Sequence, residues 1–207
     1  MTLDLRLPIA FRGELLAGRA LYEEVIRDGI LAARRSVWIA TANVKELWVE
    51  PRGLRRRGRR KAGGDYVSIL EPLDDLAARG VELRMLYAEI PSRRFRAAFD
   101  RRARLVKGGL AMKQCPRLHM KAVIIDGERL YLGSANLTGA GLGAKGEDAR
   151  NFELGLVTDD CHLIDRVQGL FDALWRGEPC GSCRLRDVCP DPGPYAAGRR
   201  GPARSAD

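Results

Sequence analysis

The pattern of this chain predicts an α/β fold with a mixed central sheet and helices on both faces. Three observations carry that expectation. Helix-period segments alternate with short β-branched strands through the first half. A run of strand-like segments then follows, closed by one last helix. A hydrophobic content of 45% over 207 residues is enough for one core of ordinary domain size. Alternation followed by a strand run is the layout of a sheet covered by helices on both sides.

Each element has its own signal. Leu21, Val25, Ile26, Ile30 and Leu31 fall at helical spacing and predict a helix over 14–34. Residues 36–41 read as a strand. Residues 51–64 are basic and glycine-rich with no apolar period, so they form a loop insertion. A second helix covers 66–79 and is closed by Gly80. Clean alternation marks 81–87 as a strand. A basic helix follows over 92–106, then strands near 110–114, 119–125, 129–134 and 152–157, and a final helix over 160–176. Residues 137–150 carry four glycines and read as a flexible loop. The domain plan is a catalytic unit at 1–176, a cysteine-rich appendage at 177–190 and a disordered tail at 191–207.

The chemistry concentrates in residues 117–136. His119, Lys121 and Asp126 stand in the order H-x-K-x4-D, followed by Gly133-Ser134-x-Asn136. Val123-Ile-Ile125 places the motif on a buried strand, and alternation puts His119 and Lys121 on one face. If 129–134 returns as a hairpin, Ser134 and Asn136 come back near His119. Together these side chains offer an imidazole, an ammonium, a hydroxyl and a carboxamide, the set a phosphodiester needs. Fixed donors stabilise charge on phosphoryl oxygens, and imidazole can attack phosphorus or protonate a leaving oxygen. Asp126 falls at the turn and reads as structural. The plain alternative is a core hairpin with an incidental histidine.

This constellation resembles the phospholipase D superfamily, whose members break phosphodiester bonds. The Asn151-Phe-Glu153 triplet fits the N-x-E that usually follows. The resemblance implies an α-β-α sandwich. His119 would be the nucleophile that forms a phosphohistidine. Lys121, Ser134 and Asn136 would bind phosphoryl oxygens, and Glu153 would hydrogen-bond the imidazole. The superfamily's site uses two such motifs, and this chain has only two histidines. His162 has no lysine two residues later, so it cannot supply the second. A symmetric homodimer sharing one site is therefore expected, with a different motif-bearing chain as the alternative.

Charge points to the substrate. Thirty-six Lys and Arg oppose 27 Asp and Glu, a net +9. Arg52, Arg55, Arg56, Arg57, Arg59, Arg60 and Lys61 form one block without an acid, and a second runs over 93–107. Such blocks suit a polyphosphate backbone, DNA or RNA, through counterion release; a solvated loop is the bland alternative. The leading reading is a metal-independent, endonuclease-like phosphodiesterase in phage defence or DNA processing. A phospholipid phosphodiesterase or phosphatidyl transferase, or a non-catalytic nucleic-acid-binding subunit of a larger assembly, are the alternatives. No membrane helix or secretion signal is seen, and the expected location is cytoplasmic.

Cys180, Cys183 and Cys189 form a C-x2-C-x5-C cluster. In a cytosolic protein that spacing suggests metal ligation, one ligand short of four. The final helix should return its C-terminus to the catalytic end, near Cys115. Cys161, at the helix start, would be about 20 Å or more away. Cys115 is therefore the expected fourth ligand. The spacing is also similar to the iron–sulfur pattern of RecB-like nucleases, so an iron–sulfur cluster and Zn2+ both stay open. No cofactor is expected for the chemistry.

Overall fold

A computed structural model describes residues 8, 10–50 and 66–194. The basic block from Arg52 to Lys61 and residues 195–207 of the tail lie outside the described residues. A seven-stranded mixed sheet forms the centre. In chain order its strands are β1 (Glu14–Ala17), β2 (Ser36–Thr41), β5 (Glu82–Tyr87), β6 (Ala111–Gln114), β7 (Ala122–Ile125), β8 (Arg129–Gly133) and β9 (Leu154–Thr158). The short β3 (Trp48–Val49) and β4 (Val67–Ser68) pair separately. Across the sheet the order is β1-β9-β8-β7-β2-β5-β6.

β2, β5 and β6 are parallel, whereas β7, β8, β9 and β1 alternate antiparallel. The seam is the antiparallel pairing of β2 with β7, Val37 facing Ile125 through Ala40 facing Ala122. This topology brings one end of every strand together. Thr41, Tyr87, Gln114, Gly133 and Ala17 close their strands there, and Ala122 and Leu154 open theirs. Ligands of open α/β sheets bind at the carboxyl ends of the parallel strands, so this is the catalytic end.

Helices cover both faces. One carries α1 (Arg19–Leu21, running on as a π turn over Tyr22–Arg27), α2 (Leu70–Ala78) and α3 (Arg93–Asp100), whose buried side chains share a core with Val37, Ile39, Leu83 and Val123. The other face carries α4 (Cys161–Arg176). Phe171 of α4 stacks on Trp38 at 5.3 Å and on Trp175 at 6.0 Å. The Arg84 guanidinium lies over both indoles, a cation–π arrangement that ties helix to sheet.

Several elements depart from the sequence expectation. Residues 14–17, expected in the first helix, form edge strand β1 against β9. The break is Gly18, whose φ of 58° and ψ of −127° lie outside any helix. Helix α2 begins at Leu70 because Val67 and Ser68 pair with Trp48 and Val49. The basic helix ends at Asp100, and a separate π turn spans Leu105–Gly109. The glycine-rich stretch 137–150 is packed through its first half, with Leu137 and Leu142 in the core. Residues 191–194, assigned to the tail by composition, are held: the Gln114 N–H donates to Asp191 Oδ2 at 3.3 Å, and Gly193 is buried against Gly177.

Asp126 sits in the β7–β8 turn, far from the catalytic end. It is the one described non-glycine residue with positive φ, 57°, followed by Gly127 at 68°. Its carboxylate accepts the N–H groups of Arg34, Arg35 and Ser36, the last two at 2.6 and 2.9 Å. Partial burial acts to raise its pKa, but the three backbone donors outweigh burial and hold the carboxyl below its ordinary range. Stability from this clamp is present above the ordinary carboxylate pKa and is lost as pH falls through the lowered folded value. Asparagine tolerates this backbone region, so Asp126→Asn removes mainly the charge. At neutral pH it should cost about 2 kcal/mol, a fall in Tm of roughly 4–8 °C. Thermal melts against pH should show the gap to wild type closing in acid.

Candidate active site

The catalytic end gathers the polar motif. His119 precedes β7 and is exposed; Lys121 follows it. Lys121 Nζ donates to the His119 carbonyl at 2.9 Å and lies 3.2 Å from both ring nitrogens. The ammonium thus sits against the imidazole ring, held by the backbone of the residue it serves.

Ser134 and Asn136 leave the end of β8, joined to β7 by the Gly133 N–H donating to the Lys121 carbonyl at 3.2 Å. The Ser134 hydroxyl donates to Glu153 Oε2 and accepts the Leu154 N–H at 3.1 Å. Asn136 Oδ1 accepts the Ala42 and Asn43 N–H groups, both at 3.1 Å, and the Thr41 hydroxyl at 3.3 Å. With its oxygen saturated by the loop after β2, the carboxamide keeps its NH2 as the group to offer a ligand.

Glu153 differs from the sequence expectation. Its two oxygens are taken by Ser134 and by the Asn151 amide at 3.1 Å, and no hydrogen bond joins it to His119 among the described residues. The N-x-E triplet is internally bonded instead, so Glu153 fixes Ser134 rather than the imidazole in this single chain.

Sequence reasoning missed Thr41 and Asn43. The Thr41 hydroxyl accepts the Leu137 N–H at 3.0 Å, and Asn43 Nδ2 donates to Glu89 at 2.7 Å. They clamp the exits of β2, β5 and β8 together. A small polar Thr-Ala-Asn run at a strand end was the available signal.

Tyr131 explains Gly133. The buried Tyr131 side chain crosses the face of Gly133, and a Cβ there would meet its hydroxyl at 2.4 Å and the Leu154 carbonyl at 2.7 Å. Burial, with Glu153 adding, outweighs the Ala135 N–H and pushes the phenol up to about 12. It stays a neutral hydrogen-bonding strut below Ser134 at physiological pH.

Two concavities meet at this end. One, about 300 Å³, is lined by His119, Leu118, Met120, Leu170 and Leu174 together with Cys180 and its neighbours. The other, about 510 Å³, is lined by Ser134, Asn151, Phe152, Glu153 and Arg150. A larger one, about 700 Å³, runs from Leu31 to Arg34 and along α2, away from the motif. Phe152 is fully exposed, and Leu15 and Leu154 are exposed on the same sheet edge. The site is thus open and flanked by exposed apolar side chains.

Cys115, Cys180, Cys183 and Cys189 line one small cavity at the same end, whereas Cys161 is exposed at the start of α4. Among the described residues no three His, Cys, Asp or Glu side chains stand in finished metal-ligating geometry. No helix of the described residues is long and apolar enough to cross a membrane.

A family model described as "Cardiolipin synthase, PLD-like domain" matches residues 26–175. Among solved structures, NucT from Helicobacter pylori is similar at 18% identity and a TM-score of 0.54, covering 80% of this chain and 96% of its own. A phospholipase D family member, Nuc from Salmonella typhimurium, gives 17% identity and a TM-score of 0.54, covering 79% and 95%. TrmBL2, described as an archaeal chromatin protein with a novel mode of DNA binding, gives 14% and 0.51, covering 79% of this chain and 52% of its own. No curated protein matches the chain.

Gly133→Ala should test the strut directly. Overpacking against Tyr131 should cost about 1–3 kcal/mol and displace Ser134. Near-ultraviolet circular dichroism and thermal melts should both change, and a variant as stable as wild type would refute the contact.

Proposed function

The chain belongs to the PLD-like family of the phospholipase D superfamily, a superfamily of phosphodiesterases, and on that premise we propose that it hydrolyses the phosphodiester backbone of nucleic acid at a site shared by two copies. The observation that carries this reading is the exposed His119–Lys121 pair at the catalytic end, one motif to a chain. A ring nitrogen of His119 attacks phosphorus, and the bond to the leaving oxygen breaks. The imidazole of the second copy's His119 gives that oxygen a proton. Water, deprotonated by the same imidazole, then cleaves the phosphohistidine and restores both rings. Lys121, Ser134 and the Asn136 NH2 bear the charge on the phosphoryl oxygens. These side chains supply the nucleophile and the counter-charge, so the step needs no divalent metal.

Basic surface supports a nucleic-acid substrate. Arg93 and Arg94 are exposed at the start of α3, which the Ser92 N–H anchors to the Val44 carbonyl beside the catalytic end. The stem of the basic insertion is fixed by β3 and β4 and by the Tyr66 hydroxyl donating to Glu50 at 3.3 Å. Arg52 to Lys61 would then grip backbone without reading bases. The uncovered Phe152, Leu154 and Leu15 are the surface a second copy would cover in bringing the two histidines together. A phospholipid substrate is the second reading, favoured by the leucines and Met120 beside His119. A role in phage defence or DNA processing in the cytoplasm is the setting this activity suits.

His119→Ala should lower cleavage by at least about 10³-fold with the fold intact. Purified protein with EDTA should be assayed on single- and double-stranded DNA, RNA and a labelled phospholipid. Activity on nucleic acid that survives EDTA is expected; activity on phospholipid alone would favour the second reading, and dependence on magnesium would contradict the mechanism.

Phe152→Glu should shift sedimentation from two copies to one and abolish cleavage together. An active monomer would overturn the shared site.

A further inference from the structure

Four of the five cysteines converge from two distant parts of the chain. Cys115 follows β6, pinned by its N–H to the Tyr87 carbonyl at 2.7 Å. Cys180 and Cys183 lie in and just after the 3-10 turn Glu178–Ser182, and Cys189 follows the 3-10 turn Arg186–Val188. The four line a cavity of about 30 Å³.

The segment also lacks a core. Among residues 177–194 only Gly177 and Gly193 are buried, and Leu185 and Val188 are exposed. Two 3-10 turns without buried apolar side chains need another source of ordering free energy. Lys113 Nζ donating to the Trp175 carbonyl at 2.8 Å and the Gln114–Asp191 bond are too few to supply it.

We propose that Cys115, Cys180, Cys183 and Cys189 bind one zinc ion that staples the C-terminal segment to the catalytic end. Zn2+ would replace up to four thiol protons, which leave to solvent, and the Arg117 guanidinium offsets part of the resulting negative charge. Four thiolates around one ion, with Zn–S bonds of about 2.3 Å, are a common structural zinc set. The four side chains line one cavity but are not arranged to hold an ion in the chain as it stands, so binding must draw the sulfurs together. Cys161 is excluded by its place at the far end of α4.

The staple has a consequence for the neighbouring site. Cys180, Cys183 and Pro179 form one wall of the concavity that His119, Leu118 and Leu174 line. Zinc would hold that wall in place while taking no part in the chemistry. The inference stands whether or not the chain cleaves nucleic acid.

The full chain, purified without chelator, should contain about one zinc per chain, with Cys161→Ser unchanged. Cys115→Ser and Cys183→Ser should lose most of it. Because loss of a ligand can itself unfold the segment, wild-type protein provides the second measurement. A mercurial reagent should release zinc in step with thiol modification, and cobalt-loaded protein should show a strong thiolate-to-cobalt charge-transfer band. Wild-type protein that takes up neither zinc nor cobalt would overturn the site. Iron with acid-labile sulfide would overturn zinc in favour of a cluster, and loss of zinc in Cys161→Ser but not in Cys115→Ser would overturn the ligand set.

Discussion

The seam between β2 and β7 is the constraint on which the catalytic end depends. It joins a parallel half-sheet to an antiparallel one through four residue pairs. Strand pairing has a period of two, so a slip of one residue would turn every side chain to the wrong face. Two motif residues lock this register from opposite ends. Asp126 collects the N–H groups at the start of β2, and Asn136 collects those just beyond its end. The aspartate of H-x-K-x4-D is therefore a positioning residue here: it fixes the end of β7 against the start of β2, and hence the register in which His119 and Lys121 stand.

Much of this was legible in the sequence because the motif carries its own geometry. The H-x-K order, the β-branched run after it and the Asp-Gly turn together specify a hairpin with its polar groups at one end. Topology also places Cys115 beside the end of α4, since β9 runs away from the catalytic end and α4 returns. What was not legible depends on pairing over long distances. Residues 14–17 read equally as helix or strand, and the backbone of Gly18 with the open edge of β9 decides. The β3–β4 ribbon has two residue pairs, too few to show a period. Thr41 and Asn43 serve Asn136 through backbone geometry that no spacing encodes. Glu153 was assigned to the imidazole by resemblance, whereas its hydrogen bonds in the isolated chain go to Ser134 and Asn151.

The site that results is open to solvent in the single chain. His119 and Ser134 are exposed, and they border two different concavities rather than one closed pocket. Catalysis by preorganised donors gains most where water is excluded, which a site this open does not provide. On the proposed reading, a second copy over Phe152 and Leu154 would bury apolar surface and supply a second imidazole in one event. The cysteine segment bounds one side of His119, a wall that this sheet does not itself build.

The most direct measurement is acid quenching of a single turnover on labelled DNA or RNA in EDTA, followed by mass spectrometry of the protein. Transient label should appear on His119 as a phosphoramidate before product is released, and it should be absent from His119→Ala. Cleavage that proceeds with no label on the protein at any time, or with label on another residue, would contradict nucleophilic catalysis by His119.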